Sequence, residues 1–161
     1  MGFGFAHLKV ATLGKTRKKH GTNDMTNNLR FRAWHKELKE MFHVRAINFF
    51  DDGTIYTIGC LETPGTNNVF YAFPKEVELM QFTGLKDIHK KLIFEGDIVT
   101  YKLKSILRTE HIEEIRWDAY SASFKGFYME PWGESYDFLQ AHLPYEVIGN
   151  IYEHSDLVEQ K

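Results

Sequence analysis

The run LMQFTGLKDIHKKLIFEGDIVTY, residues 79–101, decides the fold. Leu79-Met80-Gln81-Phe82 reads as a short strand. Thr83-Gly84 breaks it, because glycine takes backbone angles that other residues avoid. Residues 86–91 form a charged, exposed connector, and Leu92-Ile93-Phe94 is apolar but too short for a helix of its own. Glu95-Gly96-Asp97 is a second turn, from which the β-branched strand Ile98-Val99-Thr100-Tyr101 starts. A Gly-Asp turn feeding such a strand is a way to open a small barrel. Asp87, Glu95 and Asp97 could form a carboxylate cluster for a cation or for acid–base work. Their spacing is not that of a calcium loop, and Asp side chains bond nearby backbone N–H groups in tight turns. Turn chemistry is therefore their expected role.

Upstream of this run, Leu29-Arg30-Phe31-Arg32-Ala33-Trp34 alternates. Leu29, Phe31 and Ala33 share one face of a strand, and Arg30, Arg32 and Trp34 share the other. Residues 35–40 are a charged turn. Phe42, Val44 and Ala46 alternate on the return strand until the phase slips at Ala46-Ile47, as a bulge would make it. Asp52-Gly53 is a hairpin turn, residues 54–59 are the next strand, and residues 62–68 (ETPGTNN) are a loop. Val69 opens a strand that Pro74 ends, with a short helical turn to Glu78. Downstream, residues 112–117 are a strand with Ile115 and Trp117 opposite Glu114 and Arg116. Residues 118–122 turn, and the partner strand sets Phe127 and Met129 against Phe124 and Tyr128. A loop carries Trp132, residues 136–143 are expected to contain one helical turn, and Val147–Tyr152 closes the sheet with a bend at Gly149.

Several of these motifs occur together in one known family. FRAWHKELKEM, LMQFTGLKD, IFEGDIVTY, IRWDAYSASF and EVIGNIYE, in this order, make residues 29–157 similar to the YopX family of phage and prophage proteins. The function of that family is unknown. The resemblance implies an SH3-like small barrel with an added β-rich portion, and an oligomer. Two positions depart from the family pattern: His35 stands where an Asp usually follows Arg-Ala-Trp, and Ile88-His89-Lys90 replaces an Asn-Gly type turn. The expected fold class is thus mainly β, a β-rich α+β chain. Residues 25–82 form an N-terminal hairpin and meander portion, residues 83–154 the SH3-like barrel, and residues 155–161 a polar tail.

Residues 1–24 read differently. They are Gly-rich, then basic, and carry a net +4 against −2 for the whole chain, which leaves −6 on the remainder. They are expected to be a disordered basic extension, an over-called start or a non-native addition before Met25. The acidic remainder argues against a surface built as a whole for duplex nucleic acid. Leu13-Gly14-Lys15-Thr16 is no phosphate loop, because Lys9 stands where the first glycine is needed. Cys60 is the only cysteine, so no intramolecular disulfide forms and a cytoplasmic protein is expected. No apolar run approaches the ~18 residues of a membrane span, and no membrane partner is expected.

No catalytic residue, metal site or cofactor is expected. The eight histidines lack the His-Glu-x-x-His spacing, His35 and His43 are read as a surface pair across a hairpin, and no Gly-x-Ser-x-Gly elbow occurs. Glu37-x-Lys39 lies in a turn without the strand and acidic partner of a nuclease site. Aromatics give the remaining signal. Arg30, Arg32 and Trp34 are read either as a partner contact or as the second core of a sheet covered on both faces. Trp132 and Tyr136 are read as a barrel-mouth contact or as a loop cap of the core. The favoured expectation is a non-catalytic protein-interaction module that self-associates as a homo-oligomer, with a phage or host protein as a further possible partner. The alternative is a nucleic-acid-binding or regulatory protein using the basic loop with Lys102, Lys104 and Arg108.

Overall fold

A computed structural model describes residues 29–62, 67–102 and 110–159. Two antiparallel sheets account for most of them. The first holds β1 (Phe31–His35), β2 (Glu40–Phe49), β3 (Ile55–Leu61), β4 (Val69–Ala72), β5 (Val77–Lys86) and β6 (Leu92–Phe94). Its strand order is β4-β3-β2-β1-β5-β6, with a 3-10 turn at Pro74–Glu76 leading into β5. The second holds β7 (Asp97–Lys102), β8 (Glu110–Asp118), β9 (Ser123–Glu130), β10 (Gly133–Phe138) and β11 (Glu146–Asn150), in the order β10-β9-β8-β7-β11. A one-turn helix, α1 (Asp156–Glu159), follows. The protein is mainly β, as its patterning predicts. The meander β7–β8–β9–β10, with β11 returning beside β7, suits a small barrel. The helical turn expected within residues 136–143 is absent: β10 runs through Tyr136 to Phe138, and its alternation Glu134, Tyr136, Phe138 outweighs the local turn signals.

The stretch 79–101 is the crossing between the sheets. Thr83-Gly84 does not break β5, which continues to Lys86. Gly84 takes φ +92°, and the register with β6 shifts between Phe82 and Lys86. A bulge thus absorbs the glycine where a break is expected. The change of sheet falls at Glu95-Gly96, where Gly96 has φ +75°. Its N–H donates to the Ile115 carbonyl (2.7 Å) and its carbonyl accepts from Ile151 (2.9 Å). A side chain there would find ordinary contacts with Met80, Ile151 and Tyr152, so the positive φ rather than space calls for glycine. The bulge expected near Ala46 is present as a register shift between Val44 and Ala46, and at Gly149, where a bend is expected, the register shifts between Val147 and Gly149.

Each sheet covers its own apolar cluster. Ala33, Phe42, Ile58, Cys60, Ala72 and Val77 fill the first. Ile93, Val99, Tyr101, Ile115 and Tyr145 fill the second. Between the sheets the other face of β1 is buried as well. Arg32 Nη1 lies 2.6 Å from Asp97 Oδ1 and Nη2 donates to the Glu95 carbonyl (3.0 Å). Asp97 Oδ2 accepts from the Phe94 N–H at 2.8 Å. Trp34 stacks on Tyr152 with ring centres 5.5 Å apart. The turn chemistry expected of the acidic residues is present: Asp87 Oδ1 accepts from the N–H groups of His89 and Lys91, both at 2.8 Å, and its Oδ2 faces the Val147 N–H (3.3 Å). No three His, Cys, Asp or Glu side chains converge as metal ligands among the described residues.

Candidate interaction surface

The sequence nominates five residues for partner contacts, and the fold separates them. Arg32 and Trp34 are buried between the sheets, Trp34 being only 7% exposed, so they present no surface to a partner. Arg30 is exposed at the start of β1, where its carbonyl accepts from the Phe82 N–H (2.8 Å). Trp132 and Tyr136, by contrast, lie together on the β9–β10 hairpin. Of the alternative set, Lys102 is the last residue of β7, opposite Glu110, and Lys104 and Arg108 lie outside the described residues, as do residues 1–24.

Strand alternation builds the surface around Trp132 and Tyr136. In an antiparallel pair, residues directly opposite share a face. Glu113, Ile115 and Gly126 therefore point to the core of the second sheet. Glu114, Arg116, Lys125, Phe127, Met129, Glu134, Tyr136 and Phe138 point away from it. The outward face is rich in exposed apolar side chains, with Phe138 56%, Tyr136 52% and Met129 49% exposed, and Trp132 at the hairpin turn is 81% exposed. Its cations are fixed beneath and beside the rings. Lys125 is buried, paired with Asp118, and its Nζ sits 3.7 Å from the centre of the Tyr136 ring and 5.0 Å from that of Phe138. Tyr136 and Phe138 thus roof an ammonium group, an arrangement that favours fixed ring positions. The Asp118 carboxyl is held down to about 2, chiefly by its bond from Lys125. Arg116 lies over Phe127 (4.6 Å) and bridges Glu114 and Glu134, each at 2.8 Å. Next to this row a shallow cleft is lined by Ile112, Glu114, Arg116, Phe127, Met129 and Leu157.

The inward face of the same sheet carries a second unusual group. Glu113 is 1% exposed and its Oε1 has no hydrogen-bond partner among the described residues. Burial pushes its carboxyl up to about 7, against a bond from Tyr101 and with the charge of Asp137 adding to the rise. A methyl group on Gly126 would overlap the Glu113 carboxylate, so only glycine lets this side chain lie flat on β9. Burial also raises Tyr145, to about 12. Cys60 is buried and its thiol is pushed up to about 11 by desolvation, which makes it an inert core residue.

Sequence reasoning misses Phe138, Lys125 and Arg116. Phe138 is legible once strand alternation is carried through Glu134, Tyr136 and Phe138. Nothing in the sequence marks Lys125, because its role depends on rings that reach it from the neighbouring strand. A further exposed aromatic group also goes unread: Phe50, Tyr56 and Phe73 meet edge to face on the first sheet, at 4.9 and 6.3 Å.

The family model described as "YopX protein" matches residues 30–159. The chain belongs to the YopX family. Protein EF1440 from Enterococcus faecalis is similar to it at 28% identity and a TM-score of 0.53, covering 81% of this chain and 97% of its own. The protein yopX from Bacillus subtilis has a similar fold at 15% identity and a TM-score of 0.54, covering 81% of this chain and 96% of its own. No curated protein matches. Among the described residues, no helix of this YopX chain is long and apolar enough to cross a membrane.

Proposed function

We propose that this chain is a non-catalytic, YopX-type phage or prophage protein that self-associates through the β9–β10 hairpin. The observation that carries the reading is the row Met129, Trp132, Tyr136 and Phe138. Four large apolar side chains stand about half exposed or more on one edge hairpin, two of them with their rings over the Lys125 ammonium. Large exposed apolar side chains gathered on one hairpin suit an interaction site, and aromatic anchors suit a contact hot spot. The other exposed aromatic group lies on the side of β4, a strand of four residues. Short edge strands are a usual way of keeping an edge out of contacts.

Size-exclusion chromatography with light scattering tests the reading. The wild type is expected to run as a defined oligomer and the double variant Trp132→Ala, Tyr136→Ala as a smaller species. A wild type that is monomeric at every workable concentration would sink the self-association reading. A salt-sensitive shift with single-stranded or duplex nucleic acid at low salt would move the weight to the alternative, in which the acidic body is served by its local basic loop.

A further inference from the structure

We infer that the partner seated on β10 is β10 of a second copy, paired antiparallel about a twofold axis at Tyr136, so that two five-stranded sheets become one. This rests on the self-association proposed above and assigns its geometry. β10 is the last strand of its sheet, hydrogen-bonded only to β9 among the described residues. The Leu139 N–H donates to the Phe124 carbonyl (3.4 Å), continuing the β9–β10 register by one residue. Bonded and non-bonded pairs alternate along an antiparallel ladder. Residues 137, 135 and 133 therefore bond to β9, and the backbone N–H and C=O groups of Glu134, Tyr136 and Phe138 point outward.

Charge then selects the register. A twofold axis normal to the sheet keeps both aromatic faces on one side, so a residue can face only residues of its own parity. An axis at Glu134 or at Asp137 sets that carboxylate against its own copy, which is destabilising. An axis at Ser135 aligns the outward groups of Glu134 and Tyr136 only, leaving Phe138 beyond the strand end. An axis at Tyr136 aligns all three outward residues, Tyr136 with itself and Glu134 with Phe138 of the other copy, and opposes no like charges. It also joins the two aromatic rows into one face.

The register predicts that one position answers to the sign of a charge. Phe138 is more than half exposed, and near-UV circular dichroism checks that each variant keeps its fold. Both Phe138→Glu and Phe138→Lys lose the ring, but only the first sets a carboxylate against Glu134 of the other copy, twice over, so Phe138→Glu is expected to weaken association about tenfold or more beyond Phe138→Lys. Light scattering across a dilution series reads both. Equal loss in the two variants would leave the aromatic contact standing but overturn this register. Association unchanged in both would leave self-association through another face and overturn the pairing of β10. A wild type that never associates would remove the underlying reading and this inference with it.

Discussion

Trp34 and Trp132 sit in neighbourhoods of the same chemistry and have opposite fates. At the seam between the sheets, Trp34 stacks on Tyr152 beside Arg32, closed off from water. On the β9–β10 hairpin, Trp132 stands open at the turn, and further along the strand the Tyr136 ring covers Lys125. Both regions hold a tryptophan, a tyrosine and a cation, but on the hairpin the cation meets Tyr136 and Phe138 while Trp132 sits at the turn. What differs is what lies opposite. The seam has a second sheet, arriving through Gly96, that brings Asp97 to the guanidinium and Tyr152 to the indole. The hairpin has nothing opposite it among the described residues. An aromatic–cation cluster is therefore a structural joint where the fold supplies the other half, and an anchor for a partner where it does not.

Breaking the seam carries the largest expected effect. Arg32→Met removes the guanidinium paired with the buried Asp97, and losing one member of a buried pair costs about 3–5 kcal/mol. Burial already pushes the Asp97 carboxyl up against the pull of Arg32 and of the Phe94 amide. Adding Asp97→Asn to Arg32→Met removes the charge yet keeps an acceptor for the Phe94 N–H. Urea unfolding is expected to show most of the loss recovered in the double variant, and a double variant no better than the single would mean that Arg32 acts by packing on Phe94.

The second sheet has a buried carboxyl without such a cation, and it sharpens the same contrast. The folded state raises Glu113 from 4.5 to about 7. The folded chain therefore holds this proton more tightly than the unfolded one. The stabilisation is complete below pH ~4.5 and is lost as pH rises through about 7, by about 3 kcal/mol in all. Glu113→Gln is expected to flatten that slope, so that the variant gains on the wild type at pH 8 and not at pH 4. Thermal melts at the two pH values measure it. Parallel losses at both would mean that burial does not hold the proton on Glu113.

The sequence carries the strands, most turns, the bulge near Ala46 and an irregularity at Gly149, because alternation, Asp-Gly turns, phase slips and a glycine within a strand are local. It misreads β5, where a glycine that looks like a break becomes a bulge, since the neighbouring strand rather than the local residue decides whether pairing continues. It leaves Trp34 open between a partner contact and a second core for a similar reason: a strand covered on both faces reads like one with a sticky face. The candidate surface was half legible. Trp132 and Tyr136 stand out by type, but Lys125 and Arg116 are placed by cross-strand neighbours that no linear pattern announces, and Glu113 was legible only as one charge among others.

The smallest effect on stability belongs to Trp132, and it is the one that separates joint from anchor. Trp132→Ala removes a side chain that is 81% exposed, and substitutions at such positions shift stability by less than about 0.5 kcal/mol. Trp34→Ala empties a buried site and is expected to cost about 3–5 kcal/mol. The order reverses for association. Trp132→Ala is expected to lower the oligomer fraction at a fixed concentration, whereas Trp34→Ala, at a temperature where it stays folded, leaves that fraction unchanged. Light scattering and urea unfolding on the same two samples check both columns. A Trp132→Ala protein that unfolds as easily as the Trp34 variant would show that the hairpin tryptophan belongs to the fold, and the distinction drawn from what lies opposite each cluster would collapse.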